Sequence, residues 1–358
     1  IFPKEFKKVD DAFKQQFKID GCSIGEGCPP YVIAEMSANH GNDLNKAIEI
    51  IRKAKECGAN AIKIQTYTAD TLTLNCRAKE FEAKGAWEGV YLYDLYSDAS
   101  MPWEWTQELQ KVAKEEGITL FSSPFDFSSI EFLEKLNMPA YKIASPEIID
   151  LPFVRRVAQT GKPIIMSTGG ATLAQIDEAV AIMIEENVEE LAILKCTSEY
   201  PAPPSKINLK TMQSLKDIFK CTVGLSDHTL GSAIPIASVG LGASIIEKHF
   251  IISRDNETAD SFFSATPEEL SDIVNGTKMV QEAIGGINYP VEGNPQRSLI
   301  AIKKVKKGDR LINGENFKSL RPGGGIEPKY LGNVDARKAV KNIEVGTLLS
   351  WDLIGELA

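Results

Sequence analysis

Histidine and cysteine are both scarce in this chain, with three and six residues in 358, and neither recurs at the spacing of a structural zinc site or a disulfide framework. Cys22, Cys28, Cys57, Cys76, Cys196 and Cys221 are scattered, as in a reducing compartment, and read as structural. No apolar run reaches the length of a membrane span, and the opening stretch IFPKEFKKVDDAFKQQF has no signal-peptide core, so the expected location is the cytoplasm. Positive charge is also in deficit: 40 Lys and Arg stand against 49 Asp and Glu, a formal net charge of -9. That excludes a nucleic acid as the main partner, because a polyanion demands a basic face, but it admits a small anion held by a few local lysines. The remaining composition, 43% hydrophobic and 25% charged, is that of a globular protein long enough for one large domain and a small one.

Short β-rich runs alternate with helical stretches between Tyr31 and Phe250. The runs are YVIAE (31–35), AIKIQ (61–65), ITLFS (118–122), AYKI (140–143), PIIMS (163–167), LAILK (191–195), TVGLS (222–226) and SIIEKHF (244–250). Eight parallel strands with crossover helices predict an α/β fold closed into a (β/α)8 TIM barrel rather than an open sheet. Leu44, Ala47, Ile48 and Ile51 recur at helical spacing after Asn42 and Asp43, and Gly58 stops that run. Thr266, Pro267 and Glu269 open the last helix as a capping box with proline at its first position. Before the first strand, FKIDGCSIGEGCPP reads as a β-hairpin capping one end of the barrel. The glycine- and proline-rich GGINYPVEGNP marks a linker. The expected domains are therefore residues 1–284, a linker at 285–296, and a small mostly β domain at 297–358.

In such barrels the chemistry lies at the C-terminal strand ends. Those ends carry Glu35; Lys63 and Gln65; Ser122 and Ser123; Lys142, Ser145 and Glu147; Ser167, Thr168 and Gly169; Thr197 and Ser198; Ser226, Asp227 and His228; and Glu247 and His249. Strand alternation puts Ile62, Ile64, Tyr141 and Ile143 toward the helices, so Lys63 and Lys142 point into the barrel mouth. Buried cations need an answering charge. Either Glu35 or Glu147 supplies it, or the lysines form a phosphate and carboxylate cradle with Ser123, Ser145, Ser226 and the amides of STGG at 167–170. His228 and His249 close adjacent strands and can converge on one ion. Two imidazoles with open positions suit Mn2+, Mg2+ or Co2+ acting on a carbonyl, although with a carboxylate they could also hold zinc. His40, in SANHGN, divides between substrate contact and loop structure.

The strings AEMSANHGN, AIKIQTY, FSSPFD, YKIASPE, STGG, KCTSEYPAP, GLSDHT and EKHF resemble, in order, the signature run of the sialic acid synthase family, the phosphoenolpyruvate-dependent nonulosonic acid synthases. RPGGG near the end resembles that family's antifreeze-like (SAF) domain. The resemblance implies a phosphoenolpyruvate-dependent transferase that forms a C–C bond to an acetamido sugar, aided by a divalent metal. It implies His228 and His249 as metal ligands, and Lys63, Ser123, Lys142, Ser145, Ser167, Ser198 and Ser226 as phosphoenolpyruvate contacts. Glu35 and Glu147 would be the catalytic carboxylates, with Gln65, Tyr200, Asp260 and Arg321 on the sugar side. Ser198 departs from the asparagine usual in CTN-x-YP.

The segment at 85–105 is longer and more aromatic than a crossover requires. Trp103, Trp105 and Leu109 are spaced for packing at a helix start. LYDLY, PWEW and CTSEYPAP look like the pseudaminic acid synthase branch, implying 2,4-diacetamido-2,4,6-trideoxy-β-L-altrose as the sugar, with N-acetylmannosamine or a legionaminic precursor as alternatives. The family resemblance further implies a domain-swapped homodimer in which Arg321 serves the partner's site; otherwise Arg321 braces its own domain. Two other classes compete. A metal-dependent aldolase or hydrolase would not need paired phosphate lysines, and a non-enzymatic carbohydrate- or ice-binding protein would leave the polar mouth idle.

Overall fold

A computed structural model describes residues 9, 12–290, 293 and 295–357. Three residues of the expected linker, 291, 292 and 294, and most of the opening stretch lie outside them. The chain divides into two compact units, meeting at Gly285 and Gly286.

The first unit opens with an antiparallel hairpin, β1 (Gln16–Ile19) and β2 (Cys22–Gly25). Eight parallel strands follow: β3 (Tyr31–Glu35), β4 (Ala61–Thr66), β5 (Thr119–Pro124), β6 (Tyr141–Ile143), β7 (Ile164–Ser167), β8 (Leu191–Cys196), β9 (Thr222–Asp227) and β10 (Ile245–His249). They close in chain order, with β10 pairing back onto β3. The eight runs expected from sequence are these eight strands.

Helices cover the outside: α1 (Leu44–Glu56), the short α2 (Ala69–Leu72), α3 (Leu92–Ala99), α4 (Thr106–Glu116), α5 (Phe127–Lys135), α6 (Leu151–Ala158), α7 (Leu173–Glu185), α8 (Thr211–Phe219), α9 (Ala233–Val239) and α10 (Pro267–Ile284). The Asp43 side chain caps α1 by accepting from the amides of Asn45 and Lys46, and Gly58, at φ 87°, ends that turn in a conformation glycine adopts without strain. Thr266 and Glu269 form the expected capping box on α10. Among the described residues no helix is long and apolar enough to cross a membrane.

Strand alternation sorts the core into two layers. Ile62, Ile64, Tyr141 and Ile143 face out and pack with helix residues such as Ile51, Leu109 and Phe153. Inside the barrel, Ile33, Ala61, Phe121, Ala140, Ile165 and Leu194 pack with Phe17, Ile19 and Ile24 of the hairpin. The hairpin therefore plugs the barrel as expected, its three apolar side chains each contributing about 1.5–3 kcal/mol by burial.

The second unit pairs β11 (Ser298–Ala301) with β12 (Phe317–Leu320) and β13 (Arg337–Ala339) with β14 (Ile354–Leu357), both antiparallel, and carries a short helix, α11 (Leu331–Val334), beside 3-10 turns at Pro328–Tyr330 and Trp351–Leu353. Its own core gathers Leu299, Val305, Leu311, Phe317, Ile343 and Leu349. Arg321 is exposed on the turn after β12.

Candidate active site

Four buried charges meet inside the barrel mouth. Lys63 Nζ lies 2.6 Å from Glu35 Oε2 and 3.8 Å from Glu247 Oε1, and Lys142 Nζ lies 3.4 Å from the same Glu247 oxygen. The lysines do point inward. Their partners are Glu35 and Glu247, however, and not Glu147. Burial opposes charge on Lys63, but Glu247 and Glu35 outweigh it and raise its pKa. Burial lowers the Lys142 pKa, Glu247 offsets this in part, and Lys63 lowers it further. Burial alone would raise the Glu247 carboxyl, yet the two lysines hold it well below the usual carboxylate range. Lys142 is thus the cation with less compensation, and an arriving anion would supply what it lacks.

The hydroxyls expected around the lysines gather there. Lys63 donates to Ser123 Oγ at 3.1 Å, Ser226 Oγ lies 3.4 Å from Glu247 Oε1, and the Gly169 amide donates to Ser145 Oγ at 2.9 Å. A Cβ on Gly169 would stand 2.2 Å from Ser198 Oγ and 2.8 Å from Ser145 Oγ, so glycine lets the STGG backbone nest against both hydroxyls. Ser167 Oγ, Glu247 Oε2 and Glu147 Oε2 are buried without a hydrogen-bond partner. Unpaired polar atoms concentrated at one barrel end mark a ligand's place. Gln65 donates to Glu35 Oε1 at 2.9 Å, tying the sugar-side position to the charge cluster. Glu147, on the helical turn after β6, is pushed up to about 7, chiefly by burial, against the opposing pull of a backbone hydrogen bond and Lys142.

The His228 and His249 rings lie 5.3 Å apart, centroid to centroid. His228 Nδ1 donates to the Thr197 carbonyl at 2.8 Å, which leaves its Nε2 lone pair for a ligand. His249 Nδ1 is buried and faces Asp260 Oδ2 at 3.5 Å. Among the described residues no group of three or more His, Cys, Asp or Glu side chains is arranged to hold an ion. The side chains here that could hold a metal are therefore the two imidazoles, a set that would suit an ion also taking oxygen ligands. Tyr200 stacks on His228 at 4.4 Å between ring centres, and Phe263 closes the cluster.

Sequence reasoning missed Cys196. Burial works to raise its thiol, but the neighbouring His228, Ser145 and Lys142 bring it down to about 7; its Sγ is 4.0 Å from His228 Nδ1. Not every strand-end polar group converges. Asp227 turns the other way and pairs with buried Lys248 at 2.6 Å, and Ser122 bonds Thr66. His40 takes the loop-structure role: its Nδ1 accepts the Asn42 amide, its ring packs edge-on against Trp105, and burial lowers its pKa to about 4. Trp103 and Trp105 form the helical turn entering α4, and Leu109 is buried, the packing expected of them.

A cavity of about 400 Å3 opens over this mouth. Gln65, Ser198, Tyr200, His249 and Asp260 line its floor, and Trp87, Leu92, Leu95 and Tyr96 line its wall. A larger cavity, about 1000 Å3, lies at the opposite end of the strands beside Lys55, Lys111, Lys114 and Lys162. Lys55 and Lys114 belong to the last turns of α1 and α4, where cations answer the helix dipole, and Lys55 and Lys162 already donate to Gly117 O and Asn137 Oδ1. The smaller cavity, with the charge cluster and the imidazoles beneath it, is the candidate site. Arg321 belongs to the second unit.

A parallel barrel with two lysines, four carboxylates and paired imidazoles gathered at its C-terminal mouth has the make-up of an enzyme. The chain belongs to the NeuB family, whose model matches residues 50–289, and a SAF domain matches residues 296–355. It is 43% identical over 326 residues to the pseudaminic acid synthase of Campylobacter jejuni, covering 89% of this chain and 95% of that protein. Identity to the pseudaminic acid synthase of Helicobacter pylori is 41% over 334 residues, 90% of this chain and 97% of that one. Among solved structures, the N-acetylneuraminic acid (sialic acid) synthetase of Leptospira borgpetersenii, with citrate, matches at a TM-score of 0.71 and 30% identity, over 79% of this chain and 94% of that one.

Proposed function

We propose that this chain is a pseudaminic acid synthase, condensing phosphoenolpyruvate with 2,4-diacetamido-2,4,6-trideoxy-β-L-altrose to give pseudaminic acid and phosphate. The observation that carries the reading is the juxtaposition of buried Lys63 and Lys142 with the His228 and His249 pair in one barrel mouth. Similarity to the two pseudaminic acid synthases supports the choice of sugar.

In this reading Lys63, Lys142, Ser123, Ser145, Ser167, Ser198 and Ser226 bind the phosphate and carboxylate of phosphoenolpyruvate through charge-assisted hydrogen bonds. Gln65, Tyr200, Asp260 and Arg321 orient the sugar. His228 and His249 would hold Mn2+, Mg2+ or Co2+, which when bound polarises the aldehyde oxygen. C3 of phosphoenolpyruvate attacks the aldehyde carbon, a C–C bond forms, and the new hydroxyl takes a proton by way of Glu35. C2, left electron-poor, accepts water and Glu147 takes one proton from it; the C2–O bond to phosphate then breaks as the new hydroxyl becomes the C2 carbonyl, and its proton leaves with the phosphate. The substrates are water-soluble, so the proposed location is the cytoplasm. A homodimer in which Arg321 reaches its partner's site completes the reading, supported by the RPGGG match alone; if inactive Arg321→Ala and Glu147→Gln chains regain no activity when refolded together, that assembly is wrong.

Supplied with phosphoenolpyruvate and each of the three metals, the protein should release phosphate far faster with the altrose derivative than with N-acetylmannosamine. The reverse order would move it to the neuraminate branch, and silence with every acetamido sugar would overturn the synthase reading. The pH profile tests Glu147. With its carboxyl pushed up to about 7 in the ligand-free protein, the base form needed to take water's proton disappears as pH falls, so kcat/KM should drop below about pH 7. Glu147→Gln should lose most of the rate together with that acid limb; a limb that persists unchanged in the residual activity assigns it to another group.

A further inference from the structure

The crossover between β4 and β5 carries α2, α3 and several helical turns. On α3, Leu92, Leu95, Tyr96 and Ala99 fall at i, i+3, i+4 and i+7, one helical face. Such a stripe usually packs into a core, but these residues join neither of the barrel's hydrophobic clusters. All four are half-buried and line the cavity over the barrel mouth, facing the polar floor of Gln65, Ser198 and Asp260. Trp87 extends the same wall, and its indole N–H is already given to the Ala259 carbonyl at 2.9 Å, which leaves its ring as apolar surface. Lys84 is exposed at the rim, where its charge stays in water.

We propose that Leu92 and Leu95 are specificity-determining residues that read the deoxygenated end of the sugar, an inference that rests on the synthase reading above. The aldehyde must meet phosphoenolpyruvate at the strand ends, beside the lysines and imidazoles. The far end of an open six-carbon chain then points outward, toward α3. A methyl group settles against leucine without desolvation cost, whereas a hydroxyl packed on the two leucine side chains gives up water and gains no hydrogen bond from them. The class of sugar selected is therefore 6-deoxy, and an added hydroxyl is discriminated against by at most about 100-fold, the limit for an apolar pocket.

The test compares kcat/KM, with phosphoenolpyruvate and Mn2+, for the 2,4,6-trideoxy sugar and for the same diacetamido sugar carrying a 6-hydroxyl. Wild type should favour the deoxy sugar by roughly 10–100-fold. Leu92→Gln and Leu95→Gln, each at a half-buried helical position that glutamine suits, should each shrink that preference severalfold or more, while Leu95→Met should keep it. Two variants at separate positions guard against a folding failure in one. No preference in wild type, or an unchanged ratio in both folded glutamine variants, overturns the inference and leaves the synthase reading standing. Phosphate release with neither sugar removes both.

Discussion

Alanine at His228 or His249 is expected to abolish turnover, a loss of at least about 10²–10³-fold, with the barrel still folded. The reason lies in how the two rings are held. His228 Nδ1–H is spent on the Thr197 carbonyl at 2.8 Å, a contact that sets the tautomer and leaves Nε2 as a donor to a cation. His249 Nδ1 is buried beside the Asp260 carboxylate, 3.5 Å from its Oδ2, the kind of carboxylate neighbour that orients a metal-binding imidazole. Purely structural rings, packed with Tyr200 and Phe263, would lose about 1–3 kcal/mol of stability on truncation and little rate. Elemental analysis of protein loaded with Mn2+ should find the metal in wild type and lose it in both variants, and chelation should silence wild type until metal is restored. Full activity after verified removal of metal would end the Lewis-acid role.

Much of this site is legible in the sequence because a parallel barrel is a regular object. Alternation fixes which side chains of AIKIQ and AYKI enter the mouth, and the parallel register from β3 to β10 brings every strand's last residues to one level. Lys63, Lys142, His228 and His249 follow from that regularity alone. Glu247 was the harder residue. Glu147 is close to Lys142 in sequence, but the chain turns into a helical segment at Pro146, which carries Glu147 off the strand. β10, by contrast, stands four strands from β6 around the closed barrel, and the long side chains of Glu247 and Lys142 meet across its axis. No local pattern reports a contact across a barrel, although the same alternation that turned His249 inward also turned Glu247 inward. The stripe on α3 drew no reading of its own within the long aromatic segment at 85–105, because periodicity says that a face is covered without saying by what. Cys196 likewise gave no signal, since its thiol is set apart only by His228 and Lys142, which tertiary structure brings beside it.

Removing a lysine and removing Glu247 should move phosphoenolpyruvate affinity in opposite directions. Lys63, Lys142, Glu35 and Glu247 form a buried cluster whose formal charges cancel. Lys63→Met or Lys142→Met leaves an excess carboxylate facing the incoming anion, and the loss of a desolvated charge partner should weaken binding by more than about 2 kcal/mol, roughly 30-fold. Lys63→Met should also cost stability, because it strips the 2.6 Å partner from Glu35, and breaking a buried pair typically costs about 3–5 kcal/mol. Glu247→Gln keeps the shape but leaves two lysines facing Glu35 alone. The ligand-free protein then holds an unanswered cation, or lets Lys142, already lowered by burial, release its proton. In either case the anion provides what the carboxylate had provided, so the dissociation constant should fall, by an amount that shrinks as pH rises and Lys142 must recapture its proton. Calorimetry at two pH values, with thermal melts with and without phosphoenolpyruvate, separates these effects: the Glu247→Gln protein should melt early when empty and recover with ligand. Unchanged affinity in both lysine variants would contradict the anion cradle. Weaker binding in Glu247→Gln would mean that this carboxylate positions the lysines for the ligand instead of standing in for it.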